Sequence, residues 1–580
     1  MFVKKLLIYL KNYKKESALG PFFKLVEVIF ELMVPLVMAS LIDNGIGMNN
    51  RSYILKMFAI LIIFGICGLA ASISAQYFAA KAATGFAKEL KHALFAHIQS
   101  LSFTEMDKLG VSGLITRMTS DMNQVQNGVN LTLRLLLRSP FVVFGAMIMA
   151  FTIDTQAAMI FVVAIPVLSI VVFGIMLLCI PKYRMVQERL DRVLSSTRDN
   201  LEGARVLRAF CKEEEEIKVF GLRNEELTKL QKNVGRISAL MNPVTYIIIN
   251  IAIAVLIWNG AIRVAAGVLT QGAVVALYNY MSQILVELIK LANLIISITK
   301  TIACGNRIQN VFETTSSMKE GQVDTTDKNS SESMVEFKNV TLQYQGGGEA
   351  ALEDISFAAK PGQVIGIIGG TGSGKSSLVN LIPRFYEATE GEVLVDGLNV
   401  KEYTYQALRT KVSVCLQKAV LFHGTIRENL LWGKKDATEE ELWEALSIAQ
   451  AKEVVDSKEG GLDYVIEQGG KNLSGGQKQR LTIARALVQD ADVLILDDSS
   501  SALDYATDAG LRIALANMKK KMTIFMVSQR TSSIQHADCI LVLDDGKLVG
   551  KGKHDELLKS CEVYQEIYYS QFKKEAMANE

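Results

Sequence analysis

The sequence predicts a helical membrane half, with six transmembrane helices that extend far beyond the bilayer, followed by an α/β half. Three observations point there. Six apolar runs are each long enough to cross a hydrocarbon layer, which takes roughly 20 helical residues. Basic residues crowd two of the connectors between these runs and avoid the rest. Past residue 333 the pattern changes to short β-branched runs with helical stretches between them. Composition agrees. Of 580 residues, 50% are hydrophobic and 21% charged, and the mean hydropathy is +0.24. Lys and Arg number 62 against 60 Asp and Glu, a net charge of +2. That leaves no basic excess for a counterion-driven nucleic-acid binder, so no nucleic-acid partner is expected.

The N-terminus MFVKKLLIYLKNYKK is basic and partly apolar, and it runs into polar residues instead of a small-residue cleavage site. It reads as a retained interfacial helix. The spans fall near 19–42, 53–80, 133–154, 157–180, 242–266 and 273–303. A turn around Asp154 separates the third from the fourth. The connector 81–130 carries five Lys and Arg and 181–239 carries thirteen, whereas the opposite connectors hold only Arg51. By the positive-inside rule the long connectors and both termini are cytoplasmic. Both long connectors have apolar positions near a 3.6-residue period. The membrane helices are therefore expected to continue as cytoplasmic hairpins, with plain coiled-coil spacers as the alternative. The membrane half covers 1–314, a flexible polar linker 315–333 and the α/β half 334–580.

Several charges fall inside or beside the spans: Lys24, Glu27 and Glu31 in the first, Arg134 and Arg138 at the third, Glu287 and Lys290 in the sixth. Charge in lipid is costly, so these residues should face a cavity, a partner or the interface. Cation recognition and an internal ion pair both remain open. Met147 and Met149 suit an adaptable pocket, with a lipid-facing position or core packing as the default. Glu213–Glu216 reads as a solvated helix face. The seven cysteines are scattered without CxxC spacing, which suggests neither zinc nor a disulfide framework.

In the second half, GQVIGIIGGTGSGKSSLVNLI reads as strand, glycine loop and helix. Gly369, Gly370, Thr371, Gly372, Ser373, Gly374, Lys375 and Ser376 match GxxxxGK[ST] in the context that gives the motif meaning. Glycines let successive backbone N–H groups converge on phosphate oxygens. Lys375 can reach the β- and γ-phosphates, and Ser376 can ligate Mg²⁺. Further on, the apolar run VLILDD ends in Asp497, placed to hold Mg²⁺. ATP and Mg²⁺ are the expected cofactors.

Between these lies LSGGQ, with Ser474, Gly475, Gly476 and Gln477, ahead of a basic helix. The motif resembles the signature of ATP-binding cassette (ABC) proteins. The likeness covers essentially the whole chain, which is similar to a half-transporter of the exporter type, type IV and multidrug-resistance-like. It implies the α/β fold of a P-loop ABC ATPase domain. Tyr344 resembles the aromatic residue that stacks on adenine. Gln417 resembles the Q-loop glutamine that senses Mg²⁺ and the membrane domain. Asp504 in SALD resembles the D-loop, and Glu467 the glutamate of the exporter X-loop, in altered surroundings. The segments Ser102–Asp107 and Ser196–Leu207 resemble coupling helices. The family implies two cassettes that enclose two ATP molecules head to tail, each site built from one chain's P-loop and the other's LSGGQ.

Two residues depart from the family pattern. Asp498 follows Asp497 where the family has the glutamate that activates water. One methylene fewer withdraws the carboxylate by ~1.5 Å. A base must lie about 2.6–3.2 Å from its water. A misplacement of this size costs about 100-fold in rate. Gln529 stands where the family has the switch histidine, and its amide cannot carry imidazole's proton. The pair is similar to the degenerate site in one subunit of the heterodimeric exporters, with slow hydrolysis at this chain's own site. The resemblance implies a multi-pass protein of the cell membrane, its ATPase domain cytoplasmic, that exports amphipathic small molecules. Multidrug export is the default expectation and lipid or peptide export an alternative. A nucleotide-gated regulatory subunit is the other reading.

Overall fold

Away from water, a backbone satisfies its N–H and C=O groups within one segment only as a helix. The computed structural model of the chain, which describes residues 3–324, 332–344 and 346–572, follows this rule throughout the apolar half. Two compact units emerge: Met1–Gln99 with Leu109–Thr314, and Ser100–Lys108 with Thr315–Glu580.

In chain order the first unit holds α1 (Lys14–Ser40) and α2 (Arg51–Ser100). After α3 (Phe103–Leu109) come α4 (Met122–Leu135), α5 (Arg138–Ile153), α6 (Thr155–Glu202), α7 (Ala204–Ala209), α8 (Glu213–Ala239), α9 (Met241–Ala265) and α10 (Gln271–Glu313). Among the described residues, six helical stretches are long and apolar enough to cross a membrane. At a rise of about 1.5 Å per residue, the 50 residues of α2 span about 75 Å, more than twice a hydrocarbon core of about 30 Å. Much of α2 therefore extends past any bilayer, and the same holds for the 48 residues of α6. The turn at Asp154 caps α6, its Oδ1 accepting from the Ala157 N–H at 2.7 Å. The third stretch is not continuous, because Leu136 and Leu137 form a turn between α4 and α5.

The segment expected as an interfacial helix is helical. It winds without a gap into α1, and Leu6, 2% exposed, packs in a cluster with Phe86, Leu90, Leu94, Cys304 and Ile308. Its apolar residues Leu6 and Leu10 lie one helical turn apart and meet protein there. Six of the seven span charges singled out, all but Arg134, are seen paired with one another. Lys24 Nζ donates to both oxygens of Glu27 at 2.8 and 2.6 Å. Arg138 bonds Glu31 and Glu287, and Lys290 joins Glu287 at 2.8 Å. Met147 and Met149 pack, half-buried, against the core of the spans.

The second unit begins with β1 (Val335–Leu342), β2 (Leu352–Ala359), β3 (Val364–Gly369), α11 (Lys375–Leu381), β4 (Glu390–Val395), β5 (Leu398–Asn399), α12 (Tyr405–Lys411) and β6 (Val412–Cys415). It continues with β7 (Gly424–Thr425), β8 (Val465–Ile466), α13 (Gly475–Val488), β9 (Val493–Asp497), α14 (Tyr505–Ala516), β10 (Thr523–Val527), β11 (Cys539–Asp544), β12 (Lys547–Gly552) and α15 (Glu562–Gln571). A six-stranded sheet runs β12-β11-β3-β10-β9-β6, parallel except at β12. A four-stranded antiparallel sheet, β2-β1-β4-β5, shares a core with one face of it, meeting residues of β3, β9, β10 and β11. β3, β9 and β10 are buried almost throughout, which is why they read as unbroken apolar runs.

The described part of the expected flexible linker is docked on this unit. The Gly321 and Val323 N–H groups donate to the carbonyls of Tyr403 and Glu402 at 3.1 and 2.9 Å. Arg384 Nη2 holds the Lys319 carbonyl at 2.6 Å, and Met318 is buried. Residues 325–331 of that segment lie outside the described residues. All seven cysteines are free thiols.

Candidate nucleotide site

The glycine loop leaves the end of buried β3 and turns into α11. Two of its glycines have no substitute. A Cβ on Gly369 would lie 2.1 Å from the Leu543 carbonyl oxygen. Gly374 has φ +92°, and a Cβ there would meet the Ala351 carbonyl at 2.6 Å. Lys375 opens α11 and folds back over the loop, its Nζ donating to the carbonyls of Gly369 and Gly370 at 3.0 and 2.5 Å. Burial lowers the pKa of this ammonium, against the opposing pull of the Asp498 and Asp497 charges.

Asp497 ends β9 opposite Val527 of β10. Its Oδ1 accepts from Ser376 Oγ at 3.0 Å, so the loop and the neighbouring strand meet at one point. Burial raises the Asp497 carboxyl and the Asp498 charge adds to the rise, while the Ser376 bond and Lys375 oppose it. The donors here are hydroxyl, carboxylate and, from Gln417, amide oxygen. That set fits a hard cation such as Mg²⁺, which uses few protein ligands beside substrate phosphates. Among the described residues there is no cluster of three His, Cys, Asp or Glu that would suit a softer metal.

Asp498 takes φ +44°, a left-handed conformation that short polar side chains tolerate best. Burial raises its carboxyl too, and a side-chain hydrogen bond from Gln417 holds it back, followed by the charges of Lys375 and Arg530. Gln529 lines the same cavity, and its backbone carbonyl accepts from Gln571 Nε2 at 2.7 Å. Tyr344 stands at another wall. Its hydroxyl bonds Ser377 Oγ at 3.0 Å, and its ring meets Tyr386 edge-on at 5.1 Å. Together these residues enclose about 370 Å³, with Thr371, Gly372, Gly374, Lys375, Ser376, Asp497 and Asp498 on the polar side. Polar loop, acidic strand end and aromatic wall suit a phosphorylated nucleoside.

The signature residues are absent from that cavity's walls. Ser474 caps α13: its Oγ accepts from the Gln477 N–H at 3.3 Å, and Gln477 Oε1 accepts from the Ser474 N–H at 3.0 Å. Ser474 and Gly475 are exposed. Asp504 caps α14 and bonds Thr507 twice, at 2.8 and 3.1 Å. Glu467 is exposed before the signature turn, its N–H bonded to Asn472 Oδ1 at 3.1 Å. Of the two coupling-helix segments, Ser102–Asp107 belongs to this unit. The Phe103 ring packs on those of Phe385 and Tyr386, and the Tyr386 hydroxyl donates to Asp107 Oδ2 at 2.7 Å. Glu105 Oε1 accepts from the Ser317 N–H at 3.1 Å. Ser196–Leu207, in the other unit, spans the break at Gly203, and the α7 residue Val206 is 59% exposed.

Sequence reasoning missed Ser377, Tyr386 and Gln571. Ser377 follows the motif directly and was within its reach. Gln571 lies 42 residues beyond Gln529, with no pattern linking the two.

Residues 18–288 match the family model described as the ABC transporter transmembrane region, and residues 352–501 match that described as ABC transporter. An uncharacterized ABC transporter ATP-binding protein of Bacillus subtilis (strain 168), YfiB, is 34% identical over 573 residues, 99% of each chain. The ATP-dependent lipid A-core flippase of Escherichia coli (strain K12) is 29% identical over 537 residues, 92% of this chain and 91% of the flippase. That of Desulfotalea psychrophila is 32% identical over 486 residues, 83% of this chain and 84% of the flippase. One six-span helical domain is fused to one cassette, and the likeness runs from end to end: the chain belongs to the ABC transporters, as a half-transporter of the exporter type.

Proposed function

We propose that this chain is the slow-hydrolysing subunit of a heterodimeric, ATP-driven exporter that moves amphipathic molecules out of the cytoplasm. One observation carries the reading. The groups that hold ATP are intact and interlocked, Lys375 over the loop and Ser376 on Asp497, while Asp498 and Gln529 line the same cavity where the family has glutamate and histidine. Lys375 and the loop N–H groups bind the phosphates, and Tyr344 takes the adenine. Ser376, Asp497 and Gln417 would hold Mg²⁺, which neutralises phosphate charge when bound. Asp498, one methylene short, orients the attacking water poorly. The exposed face of Ser474–Gln477 completes the ATP site of a second half-transporter, whose own glutamate and histidine cut ATP. Closure of the paired cassettes then presses on α3 and on the segment around α7 and turns the membrane helices outward. The excess of Lys and Arg in the long connectors supports a cytoplasmic location for both termini and the cassette of a plasma or inner-membrane protein.

The cargo is taken as an amphipathic small molecule. Multidrug export is the family default, and a lipid cargo is favoured by the relatives named as lipid flippases.

The test restores the missing groups. In the assembled pair with the partner's site disabled, Asp498→Glu with Gln529→His raises Mg²⁺-dependent turnover at this site about 100-fold. No gain, or brisk turnover by the unaltered chain paired with itself, overturns the reading.

A further inference from the structure

The proposed cargo class is broad, but one cavity of the membrane unit has chemistry of its own. It lies between α1 and α2 and encloses about 580 Å³. Phe30, Val34 and Met38 of α1 and Leu61, Phe64 and Leu69 of α2 make its apolar wall. The Phe30 and Phe64 ring centroids are 5.7 Å apart. Gly65 and Gly68 on the α2 side border open space, where a Cβ would meet nothing within 4 Å. Its polar end is formed by Glu27, Glu31 and Arg138.

The bonding within that end is uneven. Glu27 is claimed by Lys24 through both oxygens. Glu287 accepts from Arg138, from Ser139 at 3.0 Å and from Lys290 at 2.8 Å. Glu31 accepts one bond, from Arg138 Nη2 at 2.8 Å, and its side chain keeps 37% exposure. Arg138 is only 8% exposed, yet its Nε has no hydrogen-bond partner among the described residues. Glu31 thus offers the cavity a carboxylate oxygen that the clasp leaves unpaired, beside the Arg138 charge that lines the same space.

Charge balance selects the occupant. Lys24, Arg138 and Lys290 offset Glu27, Glu31 and Glu287, so the cluster is neutral. A net cation reaching for Glu31 meets Arg138 beside it, and a net anion reaching for Arg138 meets Glu31. A head that carries both charges can lie antiparallel to the pair and meet an opposite charge at each end. Glu31 is an acceptor, so the ammonium must bring N–H donors, which a quaternary ammonium lacks. We propose that this cavity binds the head of a zwitterionic amphipath with a primary ammonium beside an oxyanion, its chain against the Phe30–Phe64 wall. As an identification of cargo, this rests on the exporter reading above.

The complete transporter assembly is exchanged into nanodiscs of equal parts phosphatidylethanolamine, phosphatidylcholine and phosphatidylglycerol, and the lipids it retains are weighed by native mass spectrometry. The unaltered protein retains the ethanolamine lipid about tenfold over the other two, the worth of one charged hydrogen bond. Glu31→Gln cuts that preference below about twofold, while Glu31→Asp keeps it. Phe64→Ala lowers retention of all three lipids and leaves their ranking unchanged. ATP affinity, measured on every variant, stays at the unaltered value and certifies the fold. Equal retention by the unaltered protein, no lipid retained, or a preference that survives Glu31→Gln overturns the proposal. Transport is read separately, as ATP-driven movement of a fluorescent amphipath in reconstituted vesicles. Loss of that movement with the preference intact counts against the exporter reading and leaves the binding site standing.

Discussion

The cassette contains two glycine-rich turns that each open a helix, at α11 and at α13, and they behave in opposite ways. The first closes on its own unit. Lys375 bonds the loop carbonyls, Ser376 reaches Asp497, and Gly374 packs against Ala351. The second bonds mainly to itself, through the reciprocal cap of Ser474 and Gln477, and leaves Ser474 and Gly475 exposed. An enclosed loop can hold a ligand with groups from one chain. An open helix start offers N–H groups but no second wall, so its ligand must arrive already held by something else. On the proposed reading, the same local geometry makes one loop a binding site and the other half of one.

The largest test of that contrast removes the cation of the closed loop. Lys375→Ala weakens ATP binding by this chain about 100-fold, as expected for loss of charged hydrogen bonds in a half-buried site, and equilibrium nucleotide titration measures it. Affinity within threefold of the unaltered chain would show that the cavity does not depend on its own lysine. A smaller effect comes from the open loop. Ser474→Ala leaves this chain's ATP affinity unchanged but lowers turnover of the assembled pair about tenfold. If instead the affinity of the isolated chain fell, Ser474 would belong to the enclosed site and the contrast would collapse.

How much of this was legible depended on whether backbone or partner set the residue type. The glycine loop could be read because Gly369 and Gly374 occupy positions no side chain fits. The ends of β3 and β9 could be read because buried parallel strands are apolar along their whole length. Asp498 and Gln529 stood out against the family pattern, but not the hydrogen bond from Gln417 to Asp498 or that from Gln571 to Gln529. Those are long-range pairings of common polar residues. The spans were legible as apolar runs, whereas the turn at Leu136–Leu137 was not, since leucine gives no sign of a break. The charges at Glu31, Arg138 and Glu287 were visible, and only three-dimensional packing paired them. Residues 319–323 misled because polar composition suggests a free linker. Much of their docking runs through backbone groups, which every residue carries, beside the Glu320 carboxylate that accepts from the Tyr405 N–H.

The smallest test asks whether the closed loop is wired to the membrane helices. Tyr344 in the cavity wall meets Tyr386 edge-on, and Tyr386 donates to Asp107 of α3 at 2.7 Å. In the chain α3 lies between α2 and the third span. Burial raises the Tyr386 hydroxyl, and so does its bond to Asp107, so it stays a donor throughout the physiological pH range. Tyr386→Phe deletes only that donor. The ring still packs on Tyr344 and Phe103, so ATP affinity should not change. Because the bond is exposed, its loss is worth about fivefold at most. We expect that loss in the number of cargo molecules moved per ATP hydrolysed, with basal hydrolysis unaltered. A matching drop in ATP affinity would place Tyr386 in the binding site, not between it and α3. An unchanged transport ratio would mean that the aromatic contact of Phe103 with Phe385 and Tyr386 carries the coupling without the hydroxyl.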